Sequence, residues 1–549
     1  MGVTGLWDIL RPSGKLRSLT HLAVVDGFEG NPANLRGLRI GIDASIWFFH
    51  AAYGREGENP ELRTLFFRCA RLISVPFLPL FIFDGPKRPK VKRGKRISGE
   101  KHWLVDSMKG MIEAFGFEWR MAPGEAEAEL AYLNSTGIID AILSDDVDNF
   151  LFGAKMVVRN PSINLTGNSK HATKNADGRV DGNHSTIYTS ADILAHPSVQ
   201  LTRGGFILIG LLSGGDYHPA GLPRCGPGIA HGLAKSGLGD ELLEAAQSLT
   251  RAELAEYLTT WRESLRSELR TNSHGHLGSK KPSLAKAVPD SFPDIDVLLS
   301  YTNPITSATD AGARRTHTPP QWKREPNLAD IAHVCELHFE WGLKDIIIKR
   351  FRTVLWPSIV LRALRRSALE AVAQSTILPV RERESHQDIL GTPSKVLARH
   401  FSSMALEADD REDDNSLEDL VVKIHASRTH AYTDGILEYR LEIAPAQLVR
   451  LASAGVQGLR KPADTTYDVL PSESEDSDED DDEDGHVGTG RRKKRRGGGP
   501  PPEPDSHLRV WMPACIVRLV LPNLVDRYEA AQEAKRAKKS RPKLVGRVG

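Results

Sequence analysis

Carboxylates recur in this chain at the ends of apolar runs. Arg39-Ile40-Gly41-Ile42 stops at Asp43, and Pro79-Leu80-Phe81-Ile82-Phe83 stops at Asp84. Asp140-Ala141-Ile142-Leu143-Ser144 leads into Asp145, Asp146 and Asp148, and Gly205 to Leu212 leads through Ser213-Gly214-Gly215 to Asp216. Between the second and third runs stands Gly124-Glu125-Ala126-Glu127-Ala128-Glu129. Residues just past buried strands line the crevice of an open α/β sheet. Carboxylate oxygens are the ligands that hard divalent cations such as magnesium prefer. Without a cation, so many acids would repel one another and raise their own pKa values. The chemistry implied is metal-assisted hydrolysis. No Ser-His-Asp or Cys-His arrangement offers a covalent nucleophile, and the histidines show no metal-ligand spacing.

Each piece also has an ordinary explanation. An acidic first helical turn such as Glu125 to Glu129 is favoured by the helix dipole, and Asp145 to Asp148 could be a turn. The joint pattern is what points to a metal. Within the glutamates, residues four apart share a helix face, which makes Glu125 and Glu129 the regular pair. Pro123-Gly124 just upstream marks Glu125 as a helix start, where Glu125 and Glu127 can still converge. That pair is expected to act, with Glu129 as backup or solvated neighbour and Asp145 standing beside the motif.

Positioning these acids takes an alternation of strands and helices. Residues 1 to about 155 alternate short apolar runs with helical patterns such as Leu62 to Ile73 and Trp103 to Phe115, which predicts a mostly parallel sheet with helices on both faces. Residues 160–186 hold little to bury and read as a long loop insertion, with the α/β pattern resuming at Ile187. Residues 206–258 read as helices with a turn from Gly221 to Gly228. Pro, Ser, Thr and Lys dominate from His274 to Pro326, where little order is expected. Asn327 to Phe351 reads as helical, and strand-like pieces follow at Asp419 to His425 and Ile436 to Ile443.

The 549 residues carry 72 Lys and Arg against 71 Asp and Glu, a net charge of +1, so no global field attracts nucleic acid. The local blocks are strong. Glu473 to Asp484 holds ten carboxylates in twelve residues and stays solvated. Arg491 to Arg496 follows as a candidate import signal, and Ser472, Ser474 and Ser477 are candidate phosphorylation sites. Val510 to Ala531 is amphipathic again and completes the last domain. The expected division is 1–105, 106–215, 216–350, 351–530 interrupted by a charged linker at 465–505, and a basic tail at 531–549. The four scattered cysteines exclude a zinc ribbon and a disulfide framework. The N-terminus lacks a signal-peptide pattern, and no apolar stretch approaches the roughly 20 residues of a membrane span. Lys87, Arg88, Lys90, Lys92, Arg93, Lys95, Arg96 and Lys101 follow directly after Asp84, as expected of a phosphate clamp.

In order and spacing, Met1-Gly2-Val3-Thr4-Gly5-Leu6-Trp7, Ile42-Asp43-Ala44-Ser45, Phe83-Asp84-Gly85, Gly124 to Glu129, Asp145-Asp146-Val147-Asp148 and Gly214-Gly215-Asp216-Tyr217 resemble the XPG/flap-endonuclease family over roughly residues 1–260. The resemblance implies a PIN/XPG nuclease-like α/β fold. It implies that Asp43, Asp84, Glu125 and Glu127 hold one magnesium ion and Asp146, Asp148 and Asp216 a second, with manganese as a substitute. It implies DNA contacts at Lys87, Arg88, Lys90, Lys92, Arg93, Lys95 and Arg96, in the family's arch, and at Gly2 near the branch. Gly226 and Gly228 resemble the family's helix-two-turn-helix, with a monovalent cation such as potassium. Trp356-Pro357, Tyr439 to Ile443 and Arg509 to Pro513 resemble, more weakly, the chromodomain of eukaryotic Holliday-junction resolvases. The expectation is therefore a nuclear, structure-selective endonuclease. It would act on four-way junctions, 5′ flaps and forks, as a monomer when free and a homodimer on the junction. Alternatives are a flap or excision-repair nuclease of the same family, or a non-catalytic scaffold for branched DNA.

Overall fold

The protein is described by a computed structural model over residues 2–52, 57–96, 103–160, 165, 173–316, 318–377, 393–394, 396, 420–461 and 502–540. Lys101, most of the insertion at 161–172, the acid block with Ser472, Ser474 and Ser477, Arg491 to Arg496 and the tail beyond 540 lie outside the described residues. Seven strands make the central sheet: β1 (Lys15–Ser18), β2 (Leu38–Asp43), β3 (Phe77–Phe83), β6 (Glu118–Met121), β7 (Ala141–Leu143), β8 (Met156–Arg159) and β9 (His184–Thr189). Their order is β1-β9-β8-β7-β2-β3-β6. The five from β8 to β6 run parallel. β9 joins β8, and β1 joins β9, antiparallel. All seven residues of β3 are buried, which is why such strands read as continuous apolar runs rather than alternating ones. β4 (Val91–Lys92) and β5 (Lys95–Arg96) form a separate hairpin.

Helices cover both faces. Pro60–Ile73 and Leu104–Ala114 pack with Ile40, Ile42 and Phe81 in one core. Ala126–Ser135 and Arg203–Ser213 pack with Leu80, Ile82 and Ile142 in the other. The fourth apolar run, leading to Asp216, is a helix rather than a strand, as the helical reading of residues 206–258 expects. A short run that is apolar on every side is buried equally well as either. Thr202 decides it, its hydroxyl accepting from the Gly205 amide at 3.0 Å as a helix N-cap.

Two expectations are corrected. β9 begins at His184, three residues before the pattern seemed to resume, because the buried His184 ring lies between Asp181 (2.9 Å) and Asp434 (2.8 Å). The stretch from His274 to Pro326 contains helices Pro282–Ala287, Ile295–Thr302 and Ala311–Thr316. Polar composition hid the few apolar anchors, Leu284, Leu298 and Tyr301, that seat it.

β10 (Val421–Arg428), β11 (Glu438–Ile443) and β12 (Leu508–Pro513) form a second, antiparallel sheet, followed by helices Ala514–Val520 and Pro522–Ser540. The chain after the charged linker thus returns with a strand as well as a helix. Its aromatics are engaged: Trp511 lies under the guanidinium groups of Arg428 and Arg440, and Tyr439 donates to Glu529. Trp356-Pro357 opens the long helix Trp356–Ile377 instead of joining this sheet. That helix docks on the central sheet through two buried arginines. Arg362 reaches the Phe77 carbonyl at 3.0 Å and Arg365 the Leu35 carbonyl at 2.6 Å, and both pair with buried Glu325. The second sheet docks through Asp434, which accepts from the Ser18 amide at 2.6 Å. Replacing Glu325 by Gln leaves two buried guanidinium groups without their counter-charge. The expected loss, read by chemical denaturation, is about 3–5 kcal/mol.

Candidate active site

Strand ends and one helix start bring the acids together. Asp43 closes β2, Asp84 follows β3, and Asp146 and Asp148 follow β7. Glu125 is the N-cap of Ala126–Ser135, with Glu127 in its first turn. Asp216 arrives from the turn after Arg203–Ser213. Local bonds aim each group. Asp43 accepts from the Ser45 amide at 2.7 Å. Asp84 accepts from the Ser45 hydroxyl at 2.8 Å and the Ala126 amide at 2.9 Å, tying the helix start to β3. Asp148 accepts from the Val3 amide at 2.9 Å, while its other oxygen is buried with no hydrogen-bond partner. Gly2 sits against this pair. Its φ is +81°, and a Cβ there would lie 2.2 Å from Asp148 Oδ1 and 2.5 Å from Asp146 Oδ1.

The basic hairpin closes onto the acids. Arg93 and Gly94 both have positive φ, 52° and 71°, the turn that the right-handed twist of two short strands favours. Lys92 Nζ lies 2.6 Å from Glu125, 2.5 Å from Glu127 and 3.2 Å from Asp216. Arg93 bonds Asp216 at 2.7 Å and the Gly2 carbonyl at 3.1 Å. Arg88 pairs with Asp84 at 3.3 Å, and Lys87 with Asp310. Lys90, Lys95 and Arg96 are exposed, facing no acid partner among the contacts described. Gly226 and Gly228 are exposed at the start of helix Pro227–Ala234, with open space where a Cβ would stand. Gly5 packs beside them, its would-be Cβ 3.4 Å from Pro227.

Electrostatics follow from burial and crowding. Burial and then Asp84 push Asp43 up to about 8. Burial lifts Glu127 and Asp148 well above the carboxylate range, with Asp146 adding repulsion to both. Asp216 is held low: burial opposes this, but Lys92 and Arg93 prevail. For Lys92, burial favours the neutral amine, and Glu127, Glu125 and Asp216 outweigh it to hold the ammonium charged.

The donor set is all oxygen and suits magnesium, and the buried Asp148 oxygen without a hydrogen-bond partner fits such an ion. Among the described residues no three acids are already arranged as a metal shell, and the cation between Glu125, Glu127 and Asp216 is the Lys92 ammonium. Two neighbours stand apart. Glu129, which spacing made the regular partner of Glu125, turns away and accepts from Ser307. Asp145 pairs with Arg159 at 2.9 Å, beneath the Trp7 ring. Sequence reasoning missed Tyr217, whose hydroxyl donates to Glu125, and Tyr301, which packs on the Tyr217 ring at 4.7 Å. Tyr217 was visible as the neighbour of Asp216. Tyr301 and Ser307 lay in a stretch with no recognisable pattern.

An open, mostly parallel α/β sheet with acids at its strand ends and a basic hairpin across them defines a carboxylate-centred nuclease fold. Family models match at two places: the XPG I-region over residues 116–216, and the Holliday junction resolvase Gen1 C-terminal domain over residues 420–531. Flap endonuclease 1 of Sulfolobus acidocaldarius is 30% identical over 241 residues, 36% of this chain and 67% of that protein. Flap endonuclease GEN homolog 1 of Mus musculus is 31% identical over 266 residues, 44% of this chain. The aligned stretch spans only 26% of the mouse protein. The crystal structure of the Holliday junction-resolving enzyme GEN1 in complex with product DNA and Mg2+ is 28% identical, with a TM-score of 0.63, covering 97% of this chain and 100% of that one. The chain belongs to the XPG/flap-endonuclease family, in its GEN1 branch.

Crowded acids that resist ionisation cost stability when no metal is bound. A carboxyl whose folded pKa is raised stabilises the fold below its unfolded value and loses that contribution as pH rises toward the folded value. For Asp43 that window runs from about 4 to about 8. Asp43→Asn keeps the amide acceptor and removes the charge. In EDTA at pH 8 it is expected to stabilise the protein by roughly 1–2 kcal/mol, and the gain should vanish near pH 4 in thermal melts.

Proposed function

We propose that this chain is a magnesium-dependent, structure-selective DNA endonuclease that hydrolyses phosphodiesters near branch points. Four-way junctions are resolved by paired symmetric nicks, and 5′ flaps are also cut. The observation that carries the reading is the grip of Glu125 and Glu127 from one helix start and Asp216 from a distant turn on one cation borne by a basic hairpin. The arrangement is suited to exchange: divalent ions for the ammonium at the acids, and phosphate for the acids at Lys92 and Arg93. Asp43, Asp84, Glu125 and Glu127 would hold one ion and Asp146, Asp148 and Asp216 the second, magnesium or manganese. When bound, such ions supply water activation and charge neutralisation for phosphodiester hydrolysis. Lys87, Arg88, Lys92 and Arg93, released from their acids, would bind phosphate close to the cut. Lys90, Lys95 and Arg96 would hold the flanking backbone.

Substrate choice is proposed to lie around the acids. The hairpin spans only Val91–Arg96, which suits branched DNA without a free end better than threading a 5′ strand. The exposed amides at Gly226 and Gly228 would hold duplex phosphate, with a monovalent cation such as potassium. Gly2, beside Asp146 and Asp148, would meet the branch. Two nicks at one junction require two active sites, hence a homodimer on the junction and a monomer when free. The second sheet, the site of the match to the Gen1 C-terminal domain, would act as a DNA contact in the nucleus.

Intact four-way junctions are expected to be nicked symmetrically in magnesium, and EDTA is expected to stop this. A protein that cuts 5′ flaps well and leaves junctions whole would refute the junction assignment. Glu125→Gln or Asp146→Asn should slow cleavage at least about 100-fold while gel-shift affinity for the junction stays within a few-fold.

A further inference from the structure

Glu125 differs from the other acids in how it is aimed. Asp43, Asp84 and Asp148 each accept from a backbone amide. Glu125 is buried at the N-cap of Ala126–Ser135, yet its side chain bonds no amide of the helix it opens. Its two oxygens have different partners. Oε1 lies 2.6 Å from Lys92 Nζ, the cation that Glu127 and Asp216 also contact. Oε2 accepts from the Tyr217 hydroxyl, its one hydrogen-bond donor among the described residues. A buried carboxylate oxygen without a donor carries its full desolvation cost. The Tyr217 bond therefore decides which oxygen faces the cation.

Tyr217 is itself firmly placed. It follows Asp216, whose carbonyl accepts from the Arg93 amide at 2.7 Å. Its ring packs on the Tyr301 ring at a centroid distance of 4.7 Å. Tyr301 is buried in helix Ile295–Thr302, where Arg203 donates to its carbonyl at 3.2 Å, and the Phe152 ring lies 6.0 Å away. A Cβ on Gly215 would strike the Tyr301 hydroxyl, so glycine there lets the ring lie against the turn that carries Asp216. One short stretch of main chain thus bears both Asp216 and the hydroxyl that aims Glu125, two acids assigned to different ions.

On the nuclease reading above, we infer that Tyr217 is a positioning residue whose hydroxyl holds Glu125 with one oxygen toward the first divalent ion, and so sets the affinity for that ion. It also ties this ligand to the turn that supplies Asp216 to the second ion. Tyr217→Phe keeps the ring and its packing but leaves Glu125 Oε2 without a donor. Lys92 contacts the other oxygen, and no helix amide takes the place of the lost hydroxyl.

Mn2+ binding to the DNA-free full chain, followed by electron paramagnetic resonance, tests this apart from activity. Tyr217→Phe is expected to bind Mn2+ about tenfold more weakly than the wild type. The Mg2+ concentration that gives half-maximal single-turnover junction cleavage is expected to rise by a similar factor, while the rate at saturating Mg2+ stays within a few-fold. Glu125→Gln is expected to lose at least as much Mn2+ affinity, and adding Tyr217→Phe to it is expected to cost nothing further, because the effect passes through Glu125. A tyrosine that merely packed the site would weaken binding in both backgrounds. Unchanged Mn2+ affinity in Tyr217→Phe, or a loss that persists beside Glu125→Gln, overturns the inference and leaves the nuclease reading standing. A wild type that neither binds Mn2+ nor cuts DNA overturns both.

Discussion

The Lys92 ammonium stands within 3.2 Å of three carboxylates, two at the start of one helix and one in the turn after another. This contact follows from a constraint that shapes the whole nuclease half. Acids brought together in a buried place repel one another and lose their water, and both effects resist ionisation. A cation must stand among them, whether a metal or a side chain. Lys92 and Arg93 fill that role on a hairpin only six residues long. Its positive-φ turn lets it reach down to Asp216 and Gly2. The same side chains are suited to hold phosphate, so an anion and a divalent cation would each displace part of one internal network.

The scaffold absorbs the strain of that assembly. Apolar strands buried on both faces supply two cores, one on each side of the sheet. Backbone amides and hydroxyls then orient the acids one at a time: Ser45 for Asp43 and Asp84, Val3 for Asp148, Tyr217 for Glu125. Gly2 illustrates how tight the site is, since even a methyl group there would strike two carboxylates. The raised pKa values of Asp43, Glu127 and Asp148 are the signature of a site whose chemistry is kept at the expense of stability.

The C-terminal half is not a loosely tethered addition. Arg362 and Arg365 on the long helix grip main-chain carbonyls at Phe77 and Leu35, beside the central strands. Asp434 binds both Ser18 and His184, so the second sheet is docked on the β1-β9 edge. In the His184 contact, burial favours the neutral ring, but hydrogen bonds to Asp434 and Asp181 prevail and raise its pKa.

Much of this protein was legible in its residues alone. Apolar runs ending in acid, with glycines beside Asp216, expose the strand ends and the carboxylates, because a buried parallel strand must be apolar and its C-terminal end is where a site can open. Eight cations following Asp84 likewise show where charge collects. Other features were decided only by tertiary structure. Glu129, equal to its neighbours in sequence, accepts from Ser307, 178 positions away. His184 became part of a buried strand through Asp434, 250 positions away. Composition and spacing record which groups must be near the chain's own backbone. Which distant partner neutralises a buried charge depends on how the folded surfaces meet.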